Sequence, residues 1–363
     1  MSVVIDGESL TIDKLVEVAR NRANLVVSKD SWSKINSCRK MLEEKIDNHE
    51  IMYGITTGIG EFSEVTLTPE QTQEFQKLLV RNHAAGIGEP MDIEIVRGAI
   101  CGRINVHAKG HSGGRKEITE YLRDVLNNEI TPVVCEKGSV GACGDLAPMS
   151  QIALALMGEG EMFVNGKIIN SKTALKNINL DPLELKARDG LALINGSNIL
   201  TALAALILYD AERWMKMHDI AAAMTLEALK ANMKPYDKRI HTLRGFTGSQ
   251  KIAANLNLLT EDSEILFGSE KKVQDAYSMR STPQVAGTLR DSLEFARKQV
   301  ETELNGVGDN PIFLTNEKEV LTGANFQGSP VALPMEMVGT GLSMVAVLSE
   351  RRLNRLTNPA LSV

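Results

Sequence analysis

Along much of the second half of the chain, apolar positions recur at intervals of three and four with charges in the gaps, the period of a helix that buries one face. The stretch 199–232, rich in Ala, Leu, Met and Lys and poor in breakers, predicts a long, largely buried helix. A second is expected from Pro283, a good first-turn residue, through GTLRDSLEFARKQVETEL, and a third after Pro330 through SMVAVLSERRLNRL. A shorter helix is predicted over 150–162, opening after Pro148. Residues 1–135 read differently, because loops such as YGITTGIGEF and HAAGIGEP interrupt short segments and helices. The pattern therefore predicts a mainly α fold. A smaller, mixed, loop-rich N-terminal region (1–135) would precede a long-helix bundle (136–363), with functional residues on loops at helix ends. The sequence closes on LNRLTNPALSV without a helix cap or polar tail, so the chain is expected to be part of a protein.

Composition adds exclusions. With 43% hydrophobic and 24% charged residues the chain has ample material for a core, and a net charge of -6 leaves no basic surplus for a phosphate backbone or anionic membrane. Nucleic acid and membrane are not expected partners. Cys38, Cys101, Cys135 and Cys143 lie far apart with no CxxC pair, which fits reduced thiols in a cytoplasmic protein. The longest apolar run, 191–209, is interrupted by Asn195, Gly196, Ser197 and Asn198, and no secretory signal opens the chain. No metal-ligand spacing, GxGxxG or assignable Schiff-base lysine stands out, so no metal or nucleotide cofactor is expected.

The most unusual segment is GSVGACGDLAP at 138–148. Its glycines permit a strained turn, and Pro148 sits where a helix could begin with its amides facing that turn. An ordinary glycine turn is one reading. A phosphate loop is excluded because no Lys-Ser or Lys-Thr follows, and a catalytic Cys143 would need one of six histidines that sequence does not place beside it. A third reading uses the Ala-Cys-Gly order: the unhindered Gly144 nitrogen attacks the Ala142 carbonyl, and loss of water and of the Cys143 sulfur leaves a methylidene-imidazolone electrophile.

At this segment the chain resembles the histidine and phenylalanine ammonia-lyases, with their tyrosine ammonia-lyases and aminomutases, whose motif is GSxGASGDLAPL with Ser at the eliminating position. Cys143 departs from that pattern but remains a workable leaving group. The resemblance continues in family order through YGITTGIG (53–60), HAAGIG (83–88), GLALINGSN (190–198), VQDAYSMRSTPQV (273–285), DNP (309–311) and GANFQGSP (323–330). It implies an ammonia-lyase whose cofactor is 4-methylidene-imidazol-5-one, made autocatalytically from Ala142, Cys143 and Gly144. It matches Tyr53 to the catalytic base, Asn195 to the amide that hydrogen-bonds the electrophile's oxygen, and Arg280 to the holder of the substrate carboxylate, a task suited to a guanidinium fork. It further places Tyr277 and Gln274 in the active site and Phe326 against the substrate. Asp145, next to the tripeptide, would orient it or cap the helix at Pro148. The family precedent is a mainly helical homotetramer with sites drawn from several subunits, or here one completed by a separate chain supplying the C-terminal part.

The pair Asn82-His83 falls where family members read the substrate ring, and His83 favours histidine, giving urocanate. Gln327 pulls toward phenylalanine enzymes, so a phenylalanine or tyrosine lyase or 2,3-aminomutase, or a lyase for a modified histidine, stays open. So does a catalytically silent partner subunit.

Overall fold

The computed structural model describes residues 2–140, 144–268 and 270–362, and helix dominates it. The contacts group the chain into two compact units. One runs to Leu206 and includes Val300–Val331, and the other comprises Ile207–Gln299 with the residues from Ala332 on.

In the first unit, helices start where the sequence supplies caps. Thr68 and Gln71 form a reciprocal capping box with Pro69 in the first turn of Pro69–His83, and Ser28 accepts from the Ser31 amide to open Lys29–Asp47. The central helix Ile93–Ala108 is buried at every position from Val96 to Ala108, so it is covered on all sides. The strands are short. Ser2–Ile5 pairs in parallel with Asn24–Val27, in the register Ser2↔Asn24 to Ile5↔Val27. Thr131–Pro132, Glu161–Val164 and Lys167–Asn170 form an antiparallel sheet whose hairpin turns at Asn165-Gly166, both at positive φ. A cluster of Cys38, Met41, Leu42, Met52, Ile55 and Phe313 lies under the loop that follows Ile51 and gives it a fixed base.

The second unit is almost wholly helical, with Lys238–Arg244 and Thr247–Leu259 beside its parts of the long helices. Thr247–Leu259 and Thr282–Leu304 approach so closely at Gly248 and Gly287 that a Cβ on Gly248 would lie 2.0 Å from the Gly287 oxygen. A buried polar chain links Arg352 to His218 (3.1 Å), His218 to Asp219 (3.1 Å), and Asp219 to Asn255 and Arg290.

The three long helices are found at Asn198–Ala228, Thr282–Leu304 and Ser329–Thr357. The shorter one differs from expectation: it spans Leu146–Leu156, and 161–164 is a strand, because Gly158 at positive φ and Gly160 end the helix before the apolar pattern does. Among the described residues one helix, Ser329–Thr357, is long and apolar enough to cross a membrane by length and composition, a test that core helices of soluble proteins also pass. The apolar run 191–209 is not that helix.

Candidate active site

Five residues singled out from sequence, Tyr53, Asn82, His83, Asn195 and Phe326, line one cavity of about 570 Å³ in the first unit. Leu146, Leu191 and Asn310 share the wall. A second cavity of about 330 Å³, lined by Arg39, Thr56, Leu67 and Ala187 among others, holds none of the five.

Tyr53 stands on a loop tied down on both sides. Met52 and Ile55 sink into the apolar cluster, while Thr57 bridges Thr66. Gln76, fully buried on Pro69–His83, donates to the Gly54 carbonyl (3.2 Å) and accepts from the Leu191 amide (3.2 Å), joining the tyrosine loop to the segment that carries Asn195. The Gly60 amide donates to the Tyr53 hydroxyl oxygen at 3.2 Å. The His83 Nδ1 lies 2.8 Å from the Leu79 carbonyl of its own helix. A carbonyl can only accept, so Nδ1 carries the proton and a neutral His83 keeps Nε2 as an acceptor.

Gly144 has φ +75 and forms an isolated parallel bridge with Gly196, and a Cβ added to it would sit 2.4 Å from the Gly196 oxygen. Only glycine fits that approach. Ala142 and Cys143 lie outside the described residues. Asp145 follows with its amide donating to the same Gly196 oxygen (2.8 Å), and its carboxylate accepts from the Ser139 hydroxyl (2.7 Å) and the Leu200 amide (2.9 Å). It therefore caps Asn198–Ala228, and its side chain does not cap the helix at Pro148. Burial raises the Asp145 pKa, and its hydrogen bonds to Leu200, Ser139 and Ile199 pull it back only in part. Among the described residues the buried Oδ1 of Asn195 has no partner, so this amide keeps hydrogen-bonding capacity in reserve one residue before the Gly196 turn. A half-turn about χ2 exchanges its two ends.

Behind the cavity sits a charged layer. Arg103 donates to the Asn195 carbonyl and pairs with Asp309 at 2.5 Å, both side chains fully buried. Arg188 donates to the Ser112, Asn310 and Pro311 carbonyls, holding the DNP turn. His107 is squeezed between this layer and the helix Lys116–Asn127. Burial first, then the Arg103 charge, lower its pKa to about 3. The His107 Nε2 lies 2.9 Å from the Ala192 carbonyl and 3.1 Å from Arg103 Nε, and its Nδ1 lies 2.9 Å from the Thr119 hydroxyl, so both ring nitrogens are engaged inside the fold. A histidine held neutral in the fold takes up its proton on unfolding, so stability is lost as pH falls from about 6.5 toward 3, by about 1.4 kcal/mol per pH unit. Urea midpoints measured across that range should fall with acidity, and His107→Gln should flatten the slope.

Gln274, Tyr277 and Arg280 belong to the second unit. The Arg280 guanidinium lies over the Tyr277 ring at 4.1 Å, and its Nε donates to the Asp275 carbonyl at 2.9 Å. The backbone around them is fixed by Tyr236, whose hydroxyl donates to the Met279 carbonyl, and by Arg352, whose Nε donates to Ser278. Gln274 is exposed.

Gln76, Arg103 and Asn310 were not singled out from the sequence. A polar residue on the buried side of a helix is the signal that would have found Gln76 and Arg103. Asn310 is the middle residue of the DNP motif, but only the fold brings it to the cavity wall. Among the described residues no group of His, Cys, Asp and Glu could hold a metal ion.

A largely helical chain that gathers a tyrosine loop, a histidine and a reserved amide beside a glycine-bridged turn has the make-up of an enzyme for a small organic substrate. The aromatic amino acid lyase family model matches residues 10–363, and the chain belongs to that family, as an enzyme of the ammonia-lyase type. It is 40% identical over 361 residues to the histidine ammonia-lyase of Alkaliphilus metalliredigens, covering 99% of this chain and 71% of that enzyme. The ergothionase of Treponema denticola, solved with desmethyl-ergothioneine sulfonic acid, superposes with a TM-score of 0.95 at 27% identity, over 100% of this chain and 73% of that one. The tyrosine aminomutase of Streptomyces globisporus does so with a TM-score of 0.92 at 36% identity, over 100% and 72%.

Proposed function

We propose that this chain eliminates ammonia from L-histidine to give urocanate, using a methylidene-imidazolone formed from Ala142, Cys143 and Gly144. The observation that carries the substrate choice is His83 in the cavity wall, its Nδ1 committed to Leu79 and its Nε2 left to accept from a ring N–H. The identity of 38–42% to histidine ammonia-lyases supports the same choice.

The surroundings suit the ring. Gly144 is held bent against Gly196, and the Asn195 Oδ1 nearby has no partner among the described residues. Closure forms the bond from Gly144 N to Ala142 C, releases the Ala142 oxygen as water, and removes the Cys143 thiol with its α-hydrogen as hydrogen sulfide, so no oxidant is needed. The mature group supplies an electrophile that makes the substrate's amino group a leaving group. Tyr53, as its phenolate, takes the β-proton and becomes the phenol, and the Gly60 amide donates to the oxygen that receives the proton. The resemblance gives the substrate carboxylate to Arg280, whose guanidinium lies over the Tyr277 ring, with Gln274 in the same segment of sequence. Asn195 hydrogen-bonds the electrophile, Asn82 and His83 hold the imidazole, and Phe326 packs on its face.

Assembly into a homotetramer is part of this reading. The helix Ser329–Thr357 leaves Leu333, Val347 and Leu353 more than half exposed, apolar surface that a second copy would cover. A soluble cytoplasmic enzyme acting on a free amino acid is the setting it implies.

A second reading, a tyrosine 2,3-aminomutase, draws on the 36% identity to the Streptomyces globisporus enzyme, and His83 Nε2 would accept equally from a phenol. The purified chain should be incubated with histidine, tyrosine and phenylalanine in turn, with products separated by chromatography. Urocanate with histidine as the best substrate is the expected result. β-Tyrosine instead would establish the aminomutase, and no product from any of the three in a ring-bearing chain would overturn both.

A further inference from the structure

The helix Ile93–Ala108 buries two arginines whose guanidinium groups have different destinations. Arg97 donates to the carbonyls of Val18, Ala19 and Leu126, none of which lines the cavity. Arg103 spans three segments. Its Nε donates to His107, Nη1 donates to the Asn195 carbonyl and lies 3.4 Å from Asn198 Oδ1, and Nη2 pairs with Asp309. Asp309 is itself pinned through its other oxygen by the Ser112 hydroxyl at 2.5 Å.

A fully buried guanidinium is expensive to desolvate, and its fork contributes where every branch meets an acceptor in fixed geometry. Here the branch on Asn195 sets the plane of the Asn195-Gly196 peptide. Two things hang on that plane. One is the direction in which the Asn195 amide points. The other is the position of Gly196, whose carbonyl receives the Asp145 amide and whose backbone bridges Gly144. The fit is close: a Cβ on Gly196 would lie 3.0 Å from Arg103 Nη1 and 3.2 Å from the Gly308 oxygen.

We propose that Arg103 is a positioning residue for ring closure: by clamping the Asn195 carbonyl against Asp309 it holds the Gly196 turn on which Gly144 rests. This rests on the proposed function, because closure is the event that makes the enzyme competent. Lysine keeps the charge of Arg103 but cannot reach His107, Asn195 and Asp309 together.

Wild type, Arg103→Lys and Arg97→Lys are to be purified as assembled proteins, and each characterised by intact mass, melting temperature, kcat and KM. The mass reports closure directly, as loss of one water and one hydrogen sulfide. In Arg103→Lys the ratio of closed to unclosed chains should fall by roughly tenfold, with kcat following the closed fraction and KM unchanged. Arg97→Lys, equally buried on the same helix, should melt earlier yet close fully. Asp309→Asn, nearly isosteric, should lower closure in the same direction and serves if Arg103→Lys does not fold. Full closure in Arg103→Lys overturns the inference, and so does a loss of closure in Arg97→Lys that matches it. A wild-type chain that remains unclosed overturns the proposed function and this inference with it, whereas the other failures leave the proposed function standing.

Discussion

Replacing Gly144 with alanine is expected to leave a folded chain without the ring and with turnover lowered by about 10³-fold or more, since only substrate binding remains. Two independent features produce this. The backbone at Gly144 has φ +75, which an L side chain adopts only under strain, and the new Cβ would fall 2.4 Å from the Gly196 oxygen, a backbone atom that cannot swing aside. Gly245→Ala is the control. Gly245 also has positive φ (+89), but no atom lies within 4 Å of its added Cβ, so that variant should lose about 1 kcal/mol and still close. Intact mass and a histidine assay on both variants give the answer, and a Gly144→Ala chain of ring-bearing mass would sink the role given to this turn.

The second large effect is expected at Tyr53. On the proposed role, Tyr53→Phe removes the proton acceptor and little else, because Met52, Ile55, Thr57 and Gln76 hold the loop without the hydroxyl. The Gly60 amide that loses its partner is exposed and can turn to water. A fall in kcat of about 10²–10⁴-fold with normal mass, normal melting and little change in KM is the expected pattern. Activity within a few-fold of wild type would move the base to another residue.

The long helices were legible in sequence because their evidence is local: a period near 3.6, a proline in a first turn, a run without breakers. Helix ends were less so, as 150–162 shows, where a glycine at positive φ outweighs the apolar pattern. The edges of the two compact units fall inside long helices, after Leu206, Gln299 and Val331, so no proline- or glycine-rich linker marks them. Tyr53, Asn82, His83, Asn195 and Phe326 came from resemblance to a family, and the fold puts them around one cavity. What supports them did not show, because it is defined by partners far along the chain. Gln76 matters through Gly54 and Leu191, and Arg103 through Asn195 and Asp309. Asp145 shows the limit most plainly: adjacent to one helix start, it spends its side chain on another.

The Gly144–Gly196 bridge joins two turns separated by a hairpin and three helices of sequence. Loop closure over such a span is paid in chain entropy and is completed only when the parts between have found their places. Chemistry that waits for that contact keeps a record of folding. A newly made chain would carry its original mass until its turns dock and the shifted mass ever after, so pulse-labelled protein weighed at intervals would time the arrival of native structure from a covalent mark that survives denaturation.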